Sequence, residues 1–318
     1  MANRIVIALG GNALQENPED ISAEAQLETA KKTAASIVDF IEEGHEVVIV
    51  HGNGPQVGQI VSVYEKAIGI PNMPFPECGA MSQGYIGYHL QQSIGEEMRK
   101  RGIDKGITAM ITQVLIDEED PAFCNPTKPV GSFFSKEEAM ELEKRKGYIM
   151  KEDAGRGWRR VVPSPEPKNI IESKTLKTLV ELNFIVITAG GGGIPVIRDD
   201  DGKLKGVSAV IDKDLAAELV GEIVDADVLI ILTAVEKVCI NFNKPTEKGL
   251  DTITIEEAEK YIEEGEFAPG SMLPKIKAAI KFVKSKQGRK AIITSLDKAK
   301  ECMKGTVGTK IEDIHSKK

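Results

Sequence analysis

The chain has 318 residues, 41 of them Lys or Arg and 49 Asp or Glu, for a net charge of -8. With 41% hydrophobic and 28% charged residues it is expected to fold around a substantial core, neither disordered nor membrane-embedded. The acidic balance, with both signs interspersed, argues against a nucleic-acid partner.

The first element is the apolar run Arg4-Ile5-Val6-Ile7-Ala8-Leu9, a buried strand that ends in Gly10-Gly11-Asn12. Residues chosen for backbone freedom at the carboxyl end of a strand make either a plain strand-to-helix turn or an anion site built from N–H dipoles. Ser22 caps a predicted amphipathic helix that Gly44 ends, and Glu46-Val47-Val48-Ile49-Val50 is the second strand of a βαβ unit. It runs into His51-Gly52-Asn53-Gly54-Pro55 before a predicted helix over 56–68. Two parallel strands ending in Gly-Asn turns point to a shared anion site at one edge of the sheet.

After the stiff stretch Pro71, Pro74 and Pro76, a helix is expected over 80–101. Its Gly84 and Gly87 are read as packing glycines. A third strand is expected over 107–115. Sheet periodicity then fades through Asn125-Pro126-Thr127-Lys128-Pro129-Val130-Gly131, and Ser135-x-x-Glu138 is a capping box for a short helix. This segment, about 117–165, reads as a small protruding subdomain. The basic group Arg156, Arg159 and Arg160 around Trp158 is read first as loop packing, with contact to a small anion as the alternative.

A helix near 170–182 leads to the strand Phe184-Ile185-Val186-Ile187-Thr188, which ends in Gly190-Gly191-Gly192-Gly193, expected to admit a ligand against bare backbone. Asp201-Gly202 signals a hairpin and the passage to a second half. Ile211-Asp212-Lys213-Asp214 then opens a helix; the compact order lets a carboxylate position an ammonium, although exposed turn charges are the plainer alternative. Further strands are expected at 227–232, 238–242, 291–294 and 305–309, and Thr254-x-x-Glu257 boxes another helix. Lys275 lies near the positive N-terminal end of the helix that follows Gly270, where a cation is unfavourable unless an anion accompanies it.

The four cysteines are scattered without a C-x-x-C pair, and the four histidines form no H-E-x-x-H, so neither a disulfide framework nor a zinc site is expected. No apolar run reaches membrane-spanning length and residues 1–9 lack a cleavage pattern, so a cytoplasmic protein is expected. Glycine-rich strand ends, lysines beside aspartates and no nucleophile-base pair suit phosphoryl transfer, which asks for positioning and charge neutralisation. No G-x-x-x-x-G-K-[ST] and no protein-kinase signature is present.

Taken together, Gly10-Gly11-Asn12-Ala13, His51 to Gly58, Gly79 to Gly84, Asn125 to Gly131, Ile211-Asp212-Lys213-Asp214 and Ala268 to Lys275 resemble the carbamate kinase branch of the amino acid kinase family, over essentially the whole chain and in order. The resemblance implies an α/β fold: a three-layer α/β/α sandwich around a mainly parallel open sheet. It implies residues 1–205 as the half that binds carbamate or carbamoyl phosphate, including the subdomain, and 206–318 as the nucleotide half. It further implies reversible transfer between ADP with carbamoyl phosphate and ATP with carbamate, using Mg2+, in a cytoplasmic homodimer, as in arginine fermentation.

On that resemblance Lys128, Lys213, Asp214 and Lys275 are catalytic, while Gly10, Gly11, Asn12, Gly52, Asn53 and Gly54 cradle the transferred phosphoryl group. Asp212, Ala234, Phe242, Met272 and Leu273 line the nucleotide, and no protein residue is assigned to the metal. A sister kinase acting on another carboxylate or a nucleoside monophosphate remains an alternative, as does a non-catalytic nucleotide-sensing module. A dinucleotide oxidoreductase is disfavoured by the missing G-x-G-x-x-G.

Overall fold

The computed structural model describes residues 2–17, 20–153 and 155–313, with the Asn12 side chain outside the description; His315 also lies outside it. The amino-terminal part runs β1 (Arg4–Leu9), α1 (Ala23–Glu42), β2 (Glu46–His51), α2 (Gly54–Lys66), α3 (Phe75–Lys100), β3 (Ile107–Ala109) and β4 (Gln113–Leu115). Then come β5 (Lys128–Phe134), α4 (Lys136–Lys146), β6 (Ile149–Glu152), β7 (Trp158–Val162), β8 (Asn169–Ile170) and α5 (Ser173–Glu181). Next are β9 (Ile185–Thr188), β10 (Ile194–Arg198), β11 (Leu204–Gly206), α6 (Lys213–Ile223), β12 (Val228–Thr233), β13 (Cys239–Ile240) and β14 (Lys248–Gly249). The chain closes with β15 (Thr252–Thr254), α7 (Ile255–Glu263), α8 (Met272–Ser285), β16 (Lys290–Ser295), α9 (Ala299–Cys302) and β17 (Thr309–Glu312).

Eight strands form the central sheet in the order β15-β17-β16-β12-β1-β2-β9-β3. All its pairings are parallel except β16 with β17. Strand residues alternate between its two faces. Ile5, Ile7 and Leu9 join Ile37, Phe40, Leu90 and Ile94 from α1 and α3 in one buried cluster. Val6 and Ala8 join Leu176, Ala216, Val220, Ile276 and Phe282 from α5, α6 and α8 in the other. Helices on both faces of a mainly parallel sheet give the expected three layers.

Register fixes where the site is. Leu9 pairs with His51 on one side and Leu232 on the other, so the turns after β1, β2 and β12 emerge side by side at one sheet edge.

The protruding segment has more order than its sequence suggests: β5, β7 and β6 form an antiparallel sheet backed by α4. Its strands are short and half-exposed, with a bulge between Val130 and Phe134, which erases a clean period-2 signal. Val57 and Val61 of α2 and Phe75 and Cys78 of α3 pack with Val130 and Val162 to seat it. A Cβ on Gly58 would lie 3.5 Å from the Cα of Gly131, so glycines on both sides let α2 and β5 meet closely.

The expected strand over 107–115 is two strands in different sheets. β3 pairs with β9 in the central sheet, whereas β4 pairs with β10 and β8. At the crossing, Thr112 N donates to Gln83 Oε1 at 2.8 Å, and the Thr112 and Thr188 hydroxyls lie 2.8 Å apart. Residues 107–115 carry no local signal for a change of sheet. Helix α3 begins a turn earlier than expected because Pro76 falls in its first turn, where proline is tolerated. Between 238 and 242 only Cys239–Ile240 is strand, and the last strand starts at Thr309 rather than 305.

Candidate functional site

A cleft of about 1610 Å³ opens at the shared edge, lined by the β1, β2 and β12 turns, the starts of α2, α6 and α8, and β5 of the subdomain. Gly10, Gly11, Gly52, Asn53, Gly54, Lys128, Asp212, Lys213, Asp214, Ala234 and Lys275 all line it. Residues far apart in sequence therefore line one cleft.

The two glycine turns differ from the expected cradle in one respect. Gly10 N donates to Leu232 O at 3.1 Å and Gly52 N to Leu9 O at 3.0 Å, so these two N–H groups continue the sheet ladder. A Cβ on Gly10 would lie 2.8 Å from Leu232 O, which explains glycine there by strand packing. The N–H groups of Gly11 and of Gly54, the latter at the start of α2, have no acceptor among the described residues. They are the donors the turns offer an anion. Asn12 lies in a 3-10 turn, Gly11–Ala13.

Opposite the turns is a charge cluster. Asp212 caps α6 by accepting from Asp214 N at 2.9 Å, which sets Lys213 and Asp214 in the first turn. Asp214 Oδ1 lies 2.5 Å from Lys213 Nζ, and its Oδ2 accepts from Lys275 Nζ at 2.8 Å. Its side chain is only 3% exposed, against 15% for Lys213 and 13% for Lys275. Burial pushes the Asp214 carboxyl upward, but the charges and hydrogen bonds of Lys213 and Lys275 outweigh it and hold it at about 2. Burial lowers the Lys213 ammonium, only partly offset by Asp214, and the neighbouring Lys275 charge adds to the lowering. One anion thus clasps two cations at the mouth of the glycine turns. A Cβ on Gly52 would lie 3.4 Å from Lys213 Cδ, so the lysine stem runs directly against the second turn.

Lys128 reaches across from β5 to pair with Asp212 Oδ2 at 2.9 Å, so subdomain and α6 meet over the cleft. Asp212 is accordingly both helix cap and partner of Lys128. Of the residues assigned to the nucleotide, Asp212 and Ala234 line the cleft; Met272 and Leu273 pack against the core, and Phe242 is 56% exposed.

The four-glycine run packs tightly against protein, and its Gly191 also lines the cleft. A Cβ on Gly190 would meet His51 Nε2 at 2.4 Å, on Gly191 the Asn53 amide at 2.1 Å, on Gly192 the Ile211 carbonyl at 2.2 Å, and on Gly193 Val114 at 2.2 Å. Gly191, Gly192 and Gly193 also have positive φ. Here bare backbone lets protein elements touch and packs behind the second turn. His51 is buried there with Nδ1 2.8 Å from Gly52 O, and burial drops its pKa to about 4. It is neutral at pH 7. Around Trp158, Arg160 lies 4.0 Å from the Tyr148 ring centroid, while Arg159 donates to Gly131 O at 3.0 Å and also lines the cleft.

Both Asp214 oxygens and Asp212 Oδ2 are engaged by lysines, and no group of three metal-ligating side chains occurs among the described residues. Among the described residues these carboxylates are thus committed to lysines. One cleft residue that the sequence reading passed over is Gln56, buried in the first turn of α2. Its signal is its place directly after Gly54-Pro55, at a helix start.

Residues 3–295 match the model of the amino acid kinase family. The chain is 61% identical to a carbamate kinase of Clostridium perfringens over 312 residues, covering 97% of this chain and 99% of that one. It is 51% identical to a carbamate kinase of Pyrococcus horikoshii, covering 98% and 99%. A solved carbamate kinase from Giardia lamblia bound to AMP-PNP superposes with a TM-score of 0.92 at 43% identity, covering 98% and 99%. The chain belongs to the amino acid kinase family.

Proposed function

We propose that the chain catalyses reversible phosphoryl transfer between carbamoyl phosphate and ADP, giving carbamate and ATP, the reaction of a carbamate kinase. The observation that carries this reading is the Lys213–Asp214–Lys275 clasp facing two glycine turns, with Lys128 delivered from the subdomain. The names of the relatives at 51% to 61% identity support it.

In this reading an oxygen of the ADP β-phosphate attacks phosphorus, the bond from phosphorus to the carbamate oxygen breaks, and carbamate leaves with that electron pair. The protein forms no covalent bond; it supplies fixed positive charge where negative charge spreads over the transferring group. Lys213 and Lys275 neutralise phosphate oxygens and Asp214 holds them in place. The free N–H groups of Gly11 and Gly54 hold the phosphoryl group, with Gly10, Asn12, Gly52 and Asn53 shaping the turns. Lys128 covers the small substrate, which offers too little area to bind by contact alone.

Residues 1–205 act as the substrate half and 206–318 as the nucleotide half, with Asp212, Ala234, Phe242, Met272 and Leu273 on the nucleotide side. Mg2+ would come with the nucleotide and supply positive charge to its phosphates, since no group of three metal-ligating side chains occurs among the described residues. The high transfer potential of carbamoyl phosphate favours ATP formation, as in arginine fermentation in the cytoplasm. The homodimer of this reading would meet on the β3 side of the sheet, a reading supported by the exposed Met81, Tyr88 and Ile111. ATP formation from ADP with carbamoyl phosphate, against acetyl phosphate and acetylglutamyl phosphate, tests the reading. Turnover with carbamoyl phosphate well above the other two is expected, and none with it would sink the proposal.

A further inference from the structure

Gln56 stands two residues past Gly54 and lines the cleft, although it is only 1% exposed. Its Nε2 donates to Gln26 Oε1 at 2.9 Å, and Gln26 Nε2 donates to the Ile21 carbonyl at 3.0 Å. This relay fixes both amides. A backbone carbonyl only accepts, so Gln26 must turn its nitrogen to Ile21 and its oxygen to Gln56. Gln56 must then offer its own nitrogen to Gln26. Gln56 Oε1 is left over, buried and without a hydrogen-bond partner among the described residues. A buried acceptor with no donor is unfavourable, and a donor brought by a ligand relieves it.

Carbamoyl phosphate and carbamate carry an amino group whose lone pair is delocalised into the adjacent carbonyl or carboxylate. That nitrogen donates and does not accept, the complement of an oxygen that accepts and does not donate. Acetyl phosphate has a methyl group at the same position. We infer that Gln56 Oε1 accepts a hydrogen bond from the substrate amino group and so selects carbamoyl phosphate over acyl phosphates without an N–H, an assignment that rests on the reaction proposed above. Gln26 is then a positioning residue, acting only through the amide it orients. A site that pairs a substrate N–H rejects the analogue lacking it, because its own buried group is then stranded.

The test is kcat/KM for ATP formation with carbamoyl phosphate and with acetyl phosphate, in the unaltered chain, Gln56→Met and Gln26→Met. In Gln56→Met the carbamoyl phosphate value should fall about 10- to 100-fold while the acetyl phosphate value holds or rises. In Gln26→Met the Gln56 amide is free to turn, and the ratio should fall by a smaller factor. Parallel losses for both donors, or an unchanged ratio, would show that the oxygen meets only water or packing, and would overturn the inference. Should Gln56→Met fail to fold, the ratio in Gln26→Met decides alone. An unaltered chain that uses neither donor overturns the proposed reaction itself, which is a distinct outcome.

Discussion

Asp214 and Glu218 lie one turn apart on α6, both almost fully buried, yet they titrate in opposite directions. Asp214 is clasped by two ammonium groups and held at about 2. Glu218 is pushed up to about 8, by burial first and then by the neighbouring Glu222, against the partial relief of Lys281. Lys281 Nζ lies 2.8 Å from Glu218 Oε2, but that lysine is 47% exposed, and neither Glu218 oxygen attains hydrogen-bond geometry. Glu166 acts on Lys281 as a further nearby acid. Burial alone therefore does not make a charged site; the count and depth of counter-charges decide whether a buried carboxylate stays ionised.

The comparison can be broken most severely at Asp214. Asp214→Asn removes the anion that holds Lys213 and Lys275, and turnover should drop about 10²- to 10³-fold, the scale of losing one preorganised electrostatic contact. Far-ultraviolet circular dichroism should be unchanged; an unaltered rate would reduce the residue to a structural charge. Lys275→Ala leaves Asp214 with one partner and should lower kcat about 10- to 100-fold while weakening ADP binding. Intact ADP affinity in a titration would remove Lys275 from the phosphate site.

The smallest effect belongs to Glu218→Gln, which should leave turnover near normal and change stability with pH. Glu218 has a folded pKa of about 8 against an ordinary value of 4.5, so the folded state binds more protons than the unfolded state between them. Its contribution falls as pH rises through that window. Glu218→Gln should therefore raise the melting temperature by on the order of a few degrees near pH 8 and change it little near pH 4. Asp214 has the opposite sign: its folded pKa of about 2 lies below the ordinary 3.8, so its contribution is present above pH 4 and lost as pH falls toward 2. Parallel melting curves for Glu218→Gln and the unaltered chain across pH 4 to 8 would contradict the contrast.

What the sequence conveyed was largely local. Ser22 caps α1 by accepting from Ala25 N, and Ser135 with Glu138 and Thr254 with Glu257 form complete capping boxes, as their spacing signals. The Asp-Lys-Asp order at the start of α6 also proved informative, because one side chain caps the helix while the next two pair. Long-range features were not legible. The four-glycine run gives the same signal for a ligand surface and for packing against His51 and Asn53, and only the folded chain shows that it packs there while Gly191 also lines the cleft. The Gln26–Gln56 relay joins residues 30 apart with no local pattern, and Gly10 shows its ladder bond only once β12 is beside it.

The clasp around Asp214 also bears on folding kinetics. Lys275 comes to Asp214 from 61 residues away and Lys128 to Asp212 from 84, so no single hairpin or βαβ unit contains the charge cluster. Contacts of such separation require loop closure before any gain, and form late relative to local helices. Activity regained on refolding should then lag behind helical signal and coincide with the docking of α8 on α6, making turnover a reporter of the last long-range step of assembly.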